Sequence, residues 1–259
     1  MEPNLSLTDP ADKLLYRRAL DLCDQAVSQY TDRYTTFLDP HQQAVCRLAC
    51  QQAQREGQEL SFTFFGGFPD AQRRMLGVFC QYSDPQEAQP PIQGVTFTFR
   101  REDSLSHRDF LGCILGLEIK RELLGDILVE PGRAVVFCTG VAASLACQLE
   151  KVGRVGVRPQ LGIPETLPAA YTLRPIPGTV SSLRLDSVCA LCLGLSREKA
   201  AALVRSGAVR LNHLENTRTD QPLQEGDILS VHGHGRYLVQ QIGSQSRSGR
   251  IHLVCAQYQ

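Results

Sequence analysis

The sequence predicts an α+β protein built in two parts, and three observations predict it. The first ~60 residues carry apolar side chains at helical spacing. From about Pro91 to Pro159, strand-like and helix-like segments alternate. After a proline-rich stretch, two short helices run into a small, mostly antiparallel set of strands. The expected boundaries are 1–75 for an N-terminal helical region, 76–160 for a middle domain, 161–178 for a linker and 179–259 for a C-terminal domain.

In the N-terminal region, ADKLLYRRALDLCDQAVSQY places Leu14, Leu15, Ala19, Leu22, Ala26 and Tyr30 near a 3.6-residue period. A second helix is expected over FLDPHQQAVCRLACQQAQREG, with Asp39 as cap, Pro40 at the first helical position and Gly57 as the stop. ELSFTFFGGFPDAQRRM then reads as a strand, a Gly-Gly-Phe-Pro corner and a short basic helix.

The middle domain reads as β-α-β-β-α-β. Its strands are IQGVTFTFR, GDILVE, RAVVFCT and RVGVRP. Its helices are SHRDFLGCILGL, opened by Ser106 with Asp109 three residues on, and GVAASLACQLEKVG. This order is the ferredoxin-like layout shared by RNA-recognition modules, although the aromatic pattern such modules use for stacking bases is missing. Between Arg158 and Gly178 stand five prolines, a spacing that reads as a semi-extended linker. Beyond it, SSLRLDSVCALCLGLS is a helix, and a second helix starts at the cap Ser196 and ends at Gly207. The strands AVRLN, PLQEGDILSVHG, YLVQQIG and GRIHLVCAQ follow.

Composition bounds the function classes. The chain has 259 residues, 42% hydrophobic and 21% charged, ordinary for a globular protein of two domains. No apolar run approaches the ~18–20 residues of a membrane helix, and MEPNLSLTDPADK has no basic segment followed by an apolar one. The expectation is a cytoplasmic protein without a membrane span, or a protein of the plastid stroma if the chain comes from a plant lineage. Ten cysteines, mostly inside apolar patterns such as FLGCILGL and AVVFCTG, read as buried thiols. Net charge is zero, but residues 1–173 hold 17 Lys+Arg against 21 Asp+Glu, while residues 174–259 hold 10 against 6. A basic C-terminal portion suggests a polyanion partner.

The stretch GLSREKAAALVRSGAVRLN sharpens that suggestion. Its helix carries Arg197 and Lys199 in the first turn, where the helix dipole favours acids. An incoming phosphate would meet both cations and the free N–H groups behind the Ser196 cap. Arg184 opens the preceding helix, Arg205 closes the second, and Arg210 enters the strand. Six bases stand against three acids from Arg184 to Arg218. The expectation is one continuous basic groove; the alternative is an ordinary solvated helix face.

The residues from Ser182 to Arg236 resemble the alpha-L RNA-binding motif named after small-subunit ribosomal protein S-four. The pattern is present in order: R-L-D in the first helix, LS-R-x-K-A at the second, SG-x-V-x-x-N into the strand, and EGD-I before the next. Upstream, GGFPDAQRRM and SHRDFLGCILGLEIKRELLGDILVE are similar to the YlmH family. That family pairs this motif with an RNA-binding-like domain, and one cyanobacterial and plastid branch carries a photosystem II label. The resemblance implies RNA binding, of structured rRNA or tRNA and in a ribosomal context, with no DNA preference. It implies contacts at Arg184, Ser196, Arg197, Lys199, Arg205, Arg210, Asn212 and Arg236. One departure is VHGHGR, where His232 and His234 stand at positions for which the motif leads one to expect arginine.

Other constellations are weighed against blander readings. CALC at Cys189–Cys192 lacks a second C-x-x-C and falls in an apolar helix pattern, so core packing is expected rather than zinc. Cys46 and Cys50 are read the same way. His232, His234 and His252 make a poor metal site. His107, Arg108 and Asp109 read as a helix cap with a surface salt bridge before they read as acid–base chemistry. No motif for a pseudouridine synthase, methyltransferase or tRNA ligase stands out. The expectation is a non-enzymatic RNA-binding factor with no catalytic residue, metal or cofactor. The alternatives are an RNA-modifying enzyme with an unrecognised site in residues 60–160, and a protein-interaction adaptor.

Overall fold

The computed structural model describes residues 9–170, 172–246 and 249–258. The chain forms two compact units, Met1–Ala170 and Tyr171–Gln259, and the fold is α+β. Among the described residues no helix is long and apolar enough to cross a membrane.

The first unit begins with α1 (Pro10–Ser28), β1 (Arg33–Leu38), α2 (Pro40–Arg55), β2 (Leu60–Phe65) and β3 (Arg74–Cys80). Both helices start where local chemistry tells them to. Asp9 accepts the Ala11 N–H at 2.8 Å, and Asp39 accepts that of Gln42 at 2.8 Å while the Gln42 side chain accepts the Asp39 N–H at 2.9 Å. The strands form an antiparallel sheet in the order β1-β3-β2. The helices bury Ala19, Cys23, Ala26, Cys46, Ala49 and Cys50 against Leu76 and Val78.

The expected helical region therefore contains a sheet, of which the strand at ELSFTFF was expected and β1 and β3 were not, and its expected end at residue 75 falls inside β3. The short basic helix expected after the Gly-Gly-Phe-Pro corner is instead a turn leading into that strand. The reason is that β3 is the central strand, buried continuously from Met75 to Cys80. A strand covered on both faces reads as an apolar run without alternation.

The rest of the first unit is β4 (Gln93–Thr98), α3 (His107–Leu115), a 3-10 turn (Arg121–Leu123), β5 (Leu124–Glu130), β6 (Arg133–Cys138), α4 (Gly140–Ala146), the short hairpin β7 (Lys151–Val152) and β8 (Val155–Gly156), and β9 (Arg158–Leu161). The four long strands are antiparallel in the order β5-β6-β4-β9. One face, with Val95, Phe97, Ala134 and Val136, packs on Phe110 and Ile114 of α3 and on Ala142, Ala143 and Ala146 of α4. The expected strand RVGVRP is split between the β7–β8 hairpin and β9.

The opposite face is also covered. Phe137, Val135 and Leu128 form a cluster with Phe37 and Met75 from the N-terminal sheet, flanked by Phe68, Ile92 and Leu167. Phe68 and Phe137 lie 4.9 Å apart between ring centroids. The Gly-Gly-Phe-Pro corner makes this possible: Gly67 has φ +88°, and a Cβ there would lie 2.4 Å from the Phe137 ring. Arg73 pins the two sheets together, donating to the carbonyls of Leu124 at 2.8 Å, Phe37 at 3.0 Å and Arg121 at 3.3 Å. Asp126 accepts the backbone N–H groups of Gln72 and Arg73.

The second unit contains β10 (Leu173–Val180), α5 (Leu185–Leu193), α6 (Arg197–Arg205), β11 (Val209–Leu211), β12 (Leu214–Glu215), β13 (Ile228–Val231), β14 (Gly235–Gln245) and β15 (Ile251–Tyr258). They form one sheet in the order β10-β15-β14-β13-β11-β12. The expected linker 161–178 thus ends inside a strand that pairs with β15 over its whole length. Prolines survive there because β10 is an edge. Pro175 and Pro177 are two residues apart, so both turn their missing N–H to the unpaired side.

Candidate nucleic-acid interface

The helix pair positions the first group of cations. Gly194, with φ +63°, ends α5 in the left-handed conformation. The chain then turns into the cap Ser196, whose hydroxyl accepts the Lys199 N–H at 3.4 Å. Arg197 does not point to solvent alone. Its Nε donates to the Asp186 carboxylate at 3.0 Å, and Arg184 donates to the same group at 3.3 and 3.4 Å. Asp186 is 4% exposed, on the first turn of α5. Burial pushes its carboxyl up, but the hydrogen bonds and charges of Arg197 and Arg184 outweigh that and hold it below the usual carboxylate range. The cation at the positive end of α6 therefore has an internal partner, which the sequence reading did not foresee. Lys199 is exposed, and its ammonium has no hydrogen bond or ion pair among the described residues.

The sheet positions the second group. Arg210 on β11 stands opposite Ser230 on β13, and Ser230 stands opposite Arg236 on β14. Directly paired residues share a face, so the three side chains form a row across three strands. Their neighbours Val209, Leu229, Val231 and Tyr237 point the other way, into the core. Arg236 also lies over the Tyr258 ring, 4.3 Å from its centroid. Arg210 and Arg236 line an open groove of about 650 Å³ with Ser206, Gly207, Ala208 and His232. Arg197 lines a different groove, of about 300 Å³, with Arg250, Ser181, Ser187 and Thr179. Arg210 and Arg236 thus line one groove and Arg197 another.

Asn212 serves the fold. It sits at φ +48° after β11, donates to Asp227 at 2.8 Å and accepts the Ile228 N–H at 3.0 Å. Asp227, 6% exposed, also accepts from the Gln224 N–H, so the exposed Asn212 ties its turn to a buried carboxylate. Arg205, exposed at the end of α6, precedes the Ser206–Ala208 wall of the larger groove. Arg250, a basic residue that was not among the expected contacts, donates to Thr179 at 2.9 Å.

The remaining candidates are occupied elsewhere. Cys189 and Cys192 are in the core, and burial pushes the Cys189 thiol up to about 11, away from the thiolate a metal or redox site needs. Cys46 and Cys50 are buried in the helix packing. Ser106 donates its N–H and hydroxyl to Asp109 at 2.8 and 2.6 Å, so Asp109 caps α3 and makes no ion pair among the described residues. Burial, then the charge of Arg121, lowers the His107 pKa. His107 borders an open groove of about 610 Å³, but two of that groove's acids, Asp103 and Glu130, are paired with Arg100 and Arg133. Among the described residues no group of three His, Cys, Asp or Glu could hold a metal.

The architecture is thus a two-unit α+β protein whose second unit presents arginines on a sheet face and at helix starts. Residues 97–161 match the family described as "Putative RNA-binding domain in YlmH". Over 227 residues, 86% of each chain, the sequence is 31% identical to a Bacillus subtilis (strain 168) protein named "Ribosome-associated protein quality control protein P2". The fold is similar to that of "Cell division protein ylmH from Streptococcus pneumoniae", with a TM-score of 0.51 and 23% identity over 63% of this chain and 96% of that one. The chain belongs to the YlmH family.

Proposed function

We propose that the protein binds structured RNA, rRNA or tRNA, on the ribosome through the basic face of its second unit. It acts by holding RNA rather than by chemistry on it. The observation that carries this reading is the Arg210–Ser230–Arg236 row, two guanidiniums and a hydroxyl on a solvent-facing sheet surface. Guanidinium forks and hydroxyls match phosphate oxygens. The Lys199 ammonium at the start of α6 adds a further cation where helix N–H groups favour an anion. A-form RNA offers its phosphates and 2′-hydroxyls across a shallow minor groove, so recognition is by shape and backbone. The name of the Bacillus relative places that protein in ribosome-associated quality control, and we extend the role, and with it a cytoplasmic setting, to this chain.

The test is fluorescence anisotropy of labelled tRNA and an rRNA hairpin across a salt series, with the wild type and an Arg210→Glu/Arg236→Glu variant. The reading expects a steep loss of affinity with salt and a much weaker, flatter response in the variant. Salt-independent binding, or a variant equal to the wild type, would overturn it.

A further inference from the structure

Most strand edges of this protein are blunted. β9 carries Pro159, and β10 carries Pro175 and Pro177. β1 has a register break between Tyr34 and Phe37. β5 is tied along its edge, where Arg73 and Arg121 donate to the Leu124 carbonyl and Asp126 accepts the Gln72 and Arg73 N–H groups. β7, β8 and β12 have two residues each. Prolines, bulges, charges and short length are the devices that keep a sheet edge from pairing with another chain. β2 has none of them. Its sequence LSFTFF is six residues long, uncharged and free of proline and glycine, and it runs in unbroken register along β3.

Two bonds show which backbone groups β2 turns outward. In an antiparallel pair the N–H and C=O of one residue point to the same side, and successive residues alternate. The Leu76 N–H goes to Thr35 Oγ1 on β1 at 2.9 Å, so Leu76 faces β1 and its neighbour Phe64 has no ladder bond to it. The Leu60 N–H goes to the Gln58 carbonyl at 3.1 Å, in phase with that. Ser61, Thr63 and Phe65 therefore carry the ladder to β3, and Phe62 and Phe64 present their N–H and C=O groups to the open edge. Among the described residues no strand pairs with them there.

The charges beside this edge are ordered. At the start of β2 stand the acids Glu56 and Glu59, with Asp24 bonded to Gln58. At its end stand Arg47, 4.9 Å from the Phe64 ring centroid, and Arg74, whose Cγ lies 3.2 Å from where a Gly66 Cβ would be. An antiparallel copy of the same strand sets each acidic end beside the other's basic end. A twofold axis through Thr63 also satisfies the open groups. Phe62 then exchanges hydrogen bonds with Phe64 of the second copy, Phe64 with its Phe62, and the two Thr63 side chains meet. Phe62 and Phe64 are half-buried, on the face that packs against α1 and α2, and pairing covers more of both.

We propose that the protein self-associates through β2, two copies joining their three-stranded sheets into one of six strands. This goes beyond RNA binding and does not depend on it.

The test measures the mass of the full chain, free of RNA, by sedimentation velocity across a concentration series. The wild type is expected to shift from monomer to dimer. Thr63→Lys sets two like charges against each other on the axis and is expected to stay monomeric throughout. Thr63→Cys tests the register. Directly opposed Cβ atoms lie about 4.5–5.5 Å apart, so oxidised glutathione is expected to link two copies through this thiol. Ser61→Cys copies should link far less, because Ser61 would face Phe65 of the second copy. A wild type that stays monomeric overturns the proposal and leaves the edge to a strand of another protein. A Thr63→Lys variant that dimerises as the wild type does overturns it too. Circular dichroism checks the fold, and if Thr63→Lys does not fold, crosslinking of Thr63→Cys against Ser61→Cys decides.

Discussion

Arg197 donates to Asp186 at 3.0 Å, joining the first turn of α6 to the first turn of α5. This bond changes what the cation at the start of α6 is for. A guanidinium that disfavours its own helix dipole is recruited by a buried carboxylate from the neighbouring helix, and Arg184 completes the clamp. Both side chains remain partly open to solvent, 51% exposed for Arg197 and 39% for Arg184.

The clamp makes stability depend on acid pH. The Asp186 carboxyl is held below its usual value in the fold. Its contribution is therefore present above the unfolded value of about 3.9 and is lost as pH falls through the lower folded one. Asp186→Asn is expected to cost about 1–3 kcal/mol near neutral pH, towards the low end because its partners are half exposed. Urea denaturation of both proteins from pH 7 to pH 2.5 checks it; a gap that does not narrow below about pH 4 would contradict the clamp.

Arg197 and Lys199 are expected to separate under charge reversal. Lys199 lacks a side-chain partner among the described residues, so Lys199→Glu should weaken RNA binding and leave the melting temperature nearly unchanged. Arg197→Glu sets a carboxylate against Asp186, so it should lower the melting temperature as well. Anisotropy titrations paired with thermal melts distinguish the two patterns.

Asn212→Ala is expected to destabilise the second unit by about 1–3 kcal/mol, since it leaves the Asp227 carboxylate and the Ile228 N–H short of a partner and puts a Cβ-bearing residue without a side-chain amide at φ +48°. RNA affinity of the folded fraction should stay within twofold or so of the wild type, because this side chain is spent on the turn. Guanidinium unfolding with binding measured at low temperature tests both halves.

His107 should titrate below the ordinary histidine value, because partial desolvation of its ring and then the charge of Arg121 disfavour the protonated form. A lowered folded pKa means the unfolded chain binds the proton first, so stability falls as pH drops below about 6.5. His107→Gln should flatten that part of the curve. A histidine NMR titration with a midpoint above 6.5 for this residue would contradict the assignment.

Much of the molecule was legible in the sequence, for stated reasons. The caps Asp39 and Ser196 and the Ser106–Asp109 pair act within a few residues, so local chemistry suffices to place α2, α6 and α3. The β-α-β-β-α-β order and the basic bias of the last ~85 residues are likewise written along the chain. The residues of the alpha-L resemblance carried Arg210 and Arg236 as candidates, and strand register sets them on either side of Ser230.

Tertiary structure alone decided the rest. Sequence could not show that β3 is a central strand, because burial on both faces erases the alternation that marks a strand. It could not show that β10 tolerates two prolines, because that depends on β10 lying at an edge. Nor could it show that Arg197 bonds Asp186 or that Asn212 bonds Asp227, since those partners lie 11 and 15 residues away. The sequence by itself determined where the capped helices start and where positive charge accumulates, because caps and composition are local. Only the folded chain decided which cations face solvent and which face a carboxylate, because that depends on contacts between residues distant along the chain.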